Sequence, residues 1–261
     1  MPIITLTTDF GQRDPFVGIM KGVILSICPT ARLVDLTHDV EPQDVRGASL
    51  ALEAALPFFP DGTVHLAVVD PGVGSRRRLL AVRAGRHYFV GPDNGVLTPA
   101  LRGPRWTAVA LTAPEYRLAE VSRTFHGRDV FAPAAAYLAA GVPLERLGAV
   151  ATDPVLEPIP GSRLEGDALV GEVLAVDRFG NLLTSIEAGR LAALAGDGPV
   201  AVEVSGQPVA GLVDAYAEGG DGRPAAIIGS TGRFEIFVRG GSAHQMLGAG
   251  RGALVRIRKR A

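Results

Sequence analysis

Four short polar stretches of this chain hold the residue types that move protons, orient oxygen atoms or accept hydrogen bonds. The densest is Val69-Asp70-Pro71-Gly72-Val73-Gly74-Ser75-Arg76-Arg77, where a carboxylate and two guanidinium groups bracket a glycine turn. Such a set can hold a polar substrate or a water molecule, and it equally suits a capped turn with a surface ion pair. His126, in Thr124-Phe125-His126-Gly127-Arg128-Asp129, is flanked by groups able to orient an imidazole for proton transfer near neutral pH, although Asp129 there also suits a helix cap. Asp9, in Thr8-Asp9-Phe10-Gly11, offers two acceptor oxygens that match the two hydroxyl donors of a ribose diol, or it simply belongs to a loop that starts a helix, with Asp14 before Pro15 as the N-cap. Asp177-Arg178-Phe179-Gly180-Asn181 closes a strand and is compatible with an ordinary β-turn. His38 shares the polar-loop setting of His126, whereas His65 sits inside a strand and His87 in a hairpin, where a structural role is expected; His244 is uninformative.

The elements that must position these residues alternate. Pro2 to Thr8 is β-branched and strand-like, Phe16 to Ile27 is an amphipathic helix opened by Pro15 and stopped by Pro29, and Arg32 to Thr37 is a second strand. A helix is expected from about Gln43 to Leu56, and the third strand, Thr63 to Val69, delivers Asp70 at its carboxyl end. Strand, polar loop and helix in repetition argue for a mostly parallel sheet covered on both faces, whose carboxyl edge is where ligands bind. A hairpin at 79–90, the turn Gly91-Pro92-Asp93-Asn94-Gly95, a strand at 107–111 and an alanine-rich helix at 130–140 complete a first domain, 1–155. From Ala149 to Gly161 prolines recur without periodicity, which places the domain boundary there. The remainder, 162–261, reads as seven short strands with glycine-rich turns, the pattern of a small antiparallel barrel or sandwich. The expected fold is therefore α/β, an N-terminal mostly parallel sandwich followed by a C-terminal antiparallel β-domain.

With 261 residues and a net charge of −1, the chain has no field that would draw it to nucleic acid or a membrane. One cysteine, Cys28, excludes an internal disulfide and a multi-cysteine zinc site. No HxH or HExxH spacing supports a metal, and no glycine-rich phosphate loop or dinucleotide fingerprint occurs, so neither a metal nor a cofactor is expected. The apolar stretch before Pro29 is interrupted by Lys21 and too short to span a bilayer, and a soluble cytoplasmic protein is expected. Asparagine occurs only at Asn94 and Asn181, both inside polar motifs, which suggests that the amide is required at each.

Taken together, Thr8-Asp9-Phe10-Gly11, Asp35-Leu36-Thr37-His38, Val69 to Gly74, Pro92 to Gly95, Phe125 to Asp129 and Asp177 to Asn181 resemble, in order, the motifs of the S-adenosylmethionine hydroxide adenosyltransferase family, relatives of the fluorinases and chlorinases. The resemblance implies an N-terminal mostly parallel α/β sandwich domain joined to a C-terminal antiparallel β-barrel, and a homotrimer with its substrate site between the N-domain of one subunit and the C-domain of the next. It also implies an enzyme, an S-adenosyl-L-methionine hydrolase in which water or hydroxide displaces methionine from C5′ to give adenosine and L-methionine. The family's catalytic constellation falls on Asp70, Arg77 and His126. Asp9 would hold the ribose hydroxyls, Asp177 and Ser230 the methionine amino group, Asn181 the adenine, and Asp14 would lie near the methionine carboxylate. The halogenases carry a tyrosine where this chain has Asp70, and their halide turn is not reproduced by Val73 and Gly127; an aspartate repels a halide and accepts a hydrogen bond from water, which favours the hydroxide branch. Thr231 replaces a halogenase arginine, and Arg239 stands where many members have asparagine. Two other readings remain: a non-catalytic module binding S-adenosylmethionine or a nucleoside without turnover, and a metal-dependent phosphohydrolase that a chelator would silence.

Overall fold

The apolar run at 64–68 is buried at every residue because helices cover both faces of the sheet it joins. In the computed structural model, which describes residues 1–196 and 198–260, the chain divides into two compact units, 1–157 and 158–261. Asp197 and Ala261, both within the expected second domain 162–261, lie outside the described residues.

The first unit is built on seven strands: β1 (Ile3–Thr8), β2 (Arg32–Thr37), β3 (Val64–Val68), β4 (Leu79–Ala84), β5 (His87–Pro92), β6 (Trp106–Leu111) and β7 (Gly148–Ala151), in spatial order β2-β1-β3-β5-β4-β6-β7. The pairs β2–β1, β1–β3 and β3–β5 are parallel, and β4 and β7 run against the others, so the sheet is mostly parallel as expected. Helix α1 (Phe16–Ile27) buries Val17, Met20 and Ile24, spaced three and four residues apart along one stripe. Together with α4 (Ala132–Ala139) it packs on one face over Ile4, Leu6, Leu66 and Val90. On the other face α2 (Val45–Ala55) and α3 (Thr98–Leu101) cover Ala67, Val69, Leu80 and Val82. Each fully buried Leu, Ile or Val side chain contributes about 1.5–3 kcal/mol.

Two local expectations are corrected. Residues 149–151, expected in the linker, belong to β7, because the β-branched and small residues there pair with β6 along the open sheet edge. Asp14 does not cap α1, whose first turn has no side-chain cap and starts from Pro15.

The second unit contains β8 (Arg163–Glu165), β9 (Ala168–Val176), β10 (Leu182–Glu187), α5 (Ala188–Ala195), β11 (Val200–Val204), β12 (Gln207–Val209), β13 (Pro224–Ile228), β14 (Arg233–Val238), α6 (Ala243–Leu247) and β15 (Leu254–Lys259). The strand order is β12-β11-β15-β9-β10-β14-β13, every pair antiparallel, with β8 on β9. Residues beyond β12 then hydrogen-bond to β13 (Ala210 N–H to Pro224 O, 2.8 Å; Val213 N–H to Ala226 O, 2.9 Å), which nearly closes the sheet into a barrel. Its interior is filled by Val173, Leu182, Val202, Phe234, Ile236 and Ile257.

His65 and His87 are structural, as expected. Thr5 Oγ1 lies 2.8 Å from His65 Nδ1 across the β1–β3 pair, and the two imidazoles pack edge-on with centroids 5.0 Å apart. Burial, and secondarily His87, push the His65 pKa down to about 3. Above pH 6.5 the ring is neutral in both states; below it the unfolded chain takes up a proton that the folded chain refuses until about pH 3. Stability should therefore fall by up to about 1.4 kcal/mol per pH unit across that window. Urea titrations of His65→Gln, which keeps a partner for Thr5 but does not titrate, should show a correspondingly shallower acid slope; an unchanged slope would contradict the assignment.

Candidate active site

Asp70 stands just beyond β3 and turns its carboxylate onto Arg77, which returns at the far end of the glycine turn. Arg77 Nε donates to Asp70 Oδ1 at 2.6 Å and Nη2 donates to Oδ2, a two-point pairing of guanidinium and carboxylate. The two side chains are 6% and 9% exposed, for Asp70 and Arg77 respectively, so the pair is a buried one rather than the surface ion pair that the motif alone also allowed. Arg77 also lies over the Phe131 ring, 5.7 Å from its centroid, and its Nη2 is 3.0 Å from His126 Nδ1. Arginine has no acceptor, so this contact puts the lone pair of His126 on Nδ1 and leaves the ring proton on Nε2. Burial first, and the Arg77 cation second, lower the His126 pKa below its usual 6.5, against the opposing pull of Asp70 and Asp129, so the ring is neutral at neutral pH. One corner of the guanidinium, Nη1, is buried with no hydrogen-bond partner.

The local chain explains how three distant residues meet. Gly74 has φ +78°, and a Cβ there would collide with the main-chain carbonyl oxygen of Arg123, so this glycine lets the 70–77 turn press against the loop carrying His126. His126 is followed by a wide π-helical turn, Gly127–Phe131, that runs into α4. Asp129 is no helix cap: it is fully buried and accepts from Ser122 N–H at 2.8 Å and Arg128 Nε at 2.5 Å. Burial alone would raise its pKa; these donors outweigh it and hold it low. Asn94 donates from Nδ2 to Val69 O (2.8 Å) and accepts from Val96 N–H (3.1 Å), tying the end of β3 to the turn after β5. Arg78, beside the catalytic candidate, instead binds Asp93 and Asp153 and straps the 153–155 segment down.

Asp9 and Asp70 line one cleft of about 400 Å³ with Phe10, Phe16, Gln43, Pro71 and Val73. Asp9 Oδ2 accepts from Gln43 N–H at 2.8 Å, which leaves Oδ1 for a hydroxyl donor. Phe10, Phe16 and Phe125 meet edge-to-face with centroids 5.3–5.9 Å apart beside it. Asp14 is exposed between β1 and α1. His38 is buried, 2.8 Å from Thr8 Oγ1 and 3.0 Å from Asp35, and so braces the strand ends.

In the second unit Asp177 organises its own turn: Oδ1 accepts from the N–H groups of Phe179 and Asn181, and Oδ2 from Asn181 Nδ2, each at 2.8 Å. The Asn181 amide oxygen is thereby turned free, so both asparagines of the chain use their amides. Asp177 and Asn181 line a cleft of about 500 Å³ with Phe179, Tyr216, Phe237 and Arg239. Ser230 is exposed in the separate β13–β14 turn, with Thr231. Sequence reasoning missed Glu235, a nearly buried carboxylate bonded by the Tyr216 hydroxyl at 3.0 Å. Its signal was present as the one acid inside the apolar strand Phe234-Glu235-Ile236-Phe237. Among the described residues no group of three or more His, Cys, Asp or Glu side chains is gathered as metal ligands would be, and no helix is long and apolar enough to cross a membrane.

Residues 4–148 match the model of the SAM hydroxide adenosyltransferase N-terminal domain, and residues 171–256 match that of the C-terminal domain. The chain belongs to the SAM hydroxide adenosyltransferase family. Similar members include the (R)-S-adenosyl-L-methionine hydrolases of Thermus thermophilus (44% identical, covering 96% of this chain and 97% of the relative) and Salinispora tropica (42%; 98% and 97%). A fluorinase of Actinopolyspora mzabensis is 32% identical over 73% of each chain. The fold is shared with the crystal structure of an uncharacterized conserved protein from Thermotoga maritima, with a TM-score of 0.92, 36% identity and coverage of 99% and 100%.

The close approach at Gly74 has a measurable consequence. Gly74→Ala should lower stability by about 1–3 kcal/mol and shift the His126 ring ¹⁵N resonances, since both the φ and the Arg123 contact must change. Gly72→Ala, whose added carbon would meet Ser75 Oγ at an ordinary 3.4 Å, should do neither. Equal behaviour of the two variants would contradict the packing role.

Proposed function

We propose that this chain hydrolyses S-adenosyl-L-methionine to adenosine and L-methionine, with water attacking C5′ in a site formed by Asp70, Arg77 and His126. The relatives named as hydrolases over nearly the full length support the activity. The observation that carries the residue roles is the Arg77 guanidinium: fixed by Asp70 and touching His126, it keeps a buried Nη1 with unspent donors. An unsatisfied buried donor costs about 1–3 kcal/mol or more, and an oxygen atom bound there removes that cost. A water held between Arg77 and Asp70 is aligned for in-line displacement, and alignment of that kind supplies up to about 7–11 kcal/mol of a barrier.

The chemistry balances without a cofactor, and we assign none; S-adenosylmethionine is the substrate. The water oxygen forms a bond to C5′ as the C5′–S bond breaks, and the sulfonium sulfur keeps the electron pair and leaves as a neutral thioether. Water is a far weaker acid than neutral pH can ionise, so free hydroxide is scarce and the proton is handed over as the bond to C5′ forms. With the His126 lone pair committed to Arg77, the Asp70 carboxylate is the acceptor that remains. His126 then orients the guanidinium. We assign Asp9 to the ribose hydroxyls, Asp177 and Ser230 to the amino group, the free oxygen of Asn181 to the adenine amine, and Asp14 to the neighbourhood of the methionine carboxylate. We further propose a cytoplasmic homotrimer in which the second unit of a neighbouring subunit completes each site. Phe16 and Phe179, 42% and 77% exposed beside the two clefts, are apolar rings of the kind such an interface covers.

Chelator-treated protein incubated with S-adenosylmethionine should release adenosine and methionine in equal amounts. Asp70→Ala and His126→Ala should each lose about 10²–10⁴-fold in turnover while remaining folded. Wild-type turnover should decline as pH falls below 6.5, through the lowered His126 pKa, because an imidazolium cannot accept from Arg77. Full activity in either variant would overturn the assigned roles, intact substrate would favour a binding module, and rescue only by Mg²⁺ or Mn²⁺ would favour a phosphohydrolase.

A further inference from the structure

The segment after the barrel-closing residues, 214–221, turns on itself through Glu218 N–H to Ala215 O (3.0 Å) and Asp214 N–H to Glu218 Oε2 (3.1 Å), yet three anchors hold it against β14. The Tyr216 hydroxyl donates to Glu235 Oε2 at 3.0 Å. The Tyr216 ring meets Phe237 edge-on, with centroids 4.8 Å apart and planes at 84°. Arg239 Nη1 donates to Ala217 O at 3.0 Å while its Nε lies 3.3 Å from Asp221.

These anchors cost the chain something that packing does not require. Glu235 lies on the outer face of β14, away from the interior residues Phe234 and Ile236, and the segment above leaves it only 9% exposed. Burial, with the nearby Asp177 charge, raises its pKa, although the Tyr216 bond works the other way. Burial, then the Glu235 carboxylate, push the Tyr216 hydroxyl up to about 12, so it stays a donor. Gly229 is small for the same reason: a Cβ there would collide with the Glu235 carboxylate. An apolar residue at 235 would be easier to bury but would leave the phenol without its acceptor. Meanwhile Tyr216 is 47% exposed and lines the same cleft as Asp177 and Asn181.

We propose that Glu235 and Arg239 are positioning residues that hold Tyr216 as a wall of this cleft, where its ring touches the bound substrate and sets KM. This rests on the assignment of S-adenosylmethionine as substrate. A flat base and a sulfonium suit a cleft walled by Phe179, Tyr216 and Phe237 with a carboxylate at its edge.

Steady-state kinetics on Tyr216→Ala, Tyr216→Phe, Glu235→Ala, Glu235→Gln and Arg239→Ala, with Kd for S-adenosylmethionine by calorimetry in parallel, test this. Tyr216→Ala should raise KM and Kd about tenfold or more with kcat within about threefold, the signature of lost uniform binding. Glu235→Ala, Arg239→Ala and Tyr216→Phe, which keeps the ring but loses the hydroxyl that Glu235 holds, should move in the same direction, while Glu235→Gln, whose amide oxygen still accepts from the phenol, should stay within about threefold of wild type. Tyr216 and Arg239 are solvent-accessible, so their variants remain informative if Glu235→Ala fails to fold. An unchanged KM and Kd in Tyr216→Ala, or Glu235→Gln as impaired as a folded Glu235→Ala, would overturn the proposal. A wild-type chain that binds S-adenosylmethionine without converting it would defeat the hydrolytic reading alone, and the Kd series would still decide the role of Tyr216.

Discussion

Pairing Asp70 with Arg77 takes two charges largely out of water, which only good geometry repays. The two-point contact provides that geometry and freezes the guanidinium plane at the same time. The groups packed around the pair are set relative to that plane. His126 receives its tautomer from Nη2, Phe131 supports the cation from below its plane, and the remaining corner, Nη1, is the group left to meet an oxygen atom. Removing one partner would strand the other as a buried charge, at a cost of about 3–5 kcal/mol, so the pair is a scaffold as well as the proposed reagent.

The sheet makes this pair possible by bringing strand ends to one edge. β1 and β3 run parallel and adjacent, which places Asp9 and Asp70 side by side although they are far apart in the chain. Asn94 and Gly74 then do local work of opposite kinds: one bridges two strand ends with its amide, the other makes room for a carbonyl. In the barrel unit the same economy recurs at Asp177, whose carboxylate holds its own turn while it lines one cleft together with Asn181 and the aromatic walls.

Much of this was legible in the residues. Apolar runs ending in acids revealed the parallel sheet and the edge at which Asp9 and Asp70 meet, and the two asparagines of an otherwise asparagine-free chain both proved to use their amides for closing turns. What could not be read depended on partners distant in sequence. Three consecutive arginines look alike on paper, yet Arg77 binds Asp70 while Arg78 binds Asp93 and Asp153, a division set by which way each side chain leaves the turn. Asp129 carries the signature of a cap and is instead a buried acceptor, because the π-helical turn before α4 rotates it inward. Strand β7 was lost in a proline-rich stretch since edge pairing, not periodicity, defines it. Glu235 and Tyr216 escaped because nothing in either local sequence announces the other.

On the proposed mechanism the oxygen placed on C5′ comes from a water held beside Asp70 and Arg77. Turnover in H₂¹⁸O with mass analysis of both products addresses it directly. One ¹⁸O atom is expected in the adenosine, at the 5′ oxygen, and none in the methionine. Unlabelled adenosine, or label carried by the methionine, would contradict it.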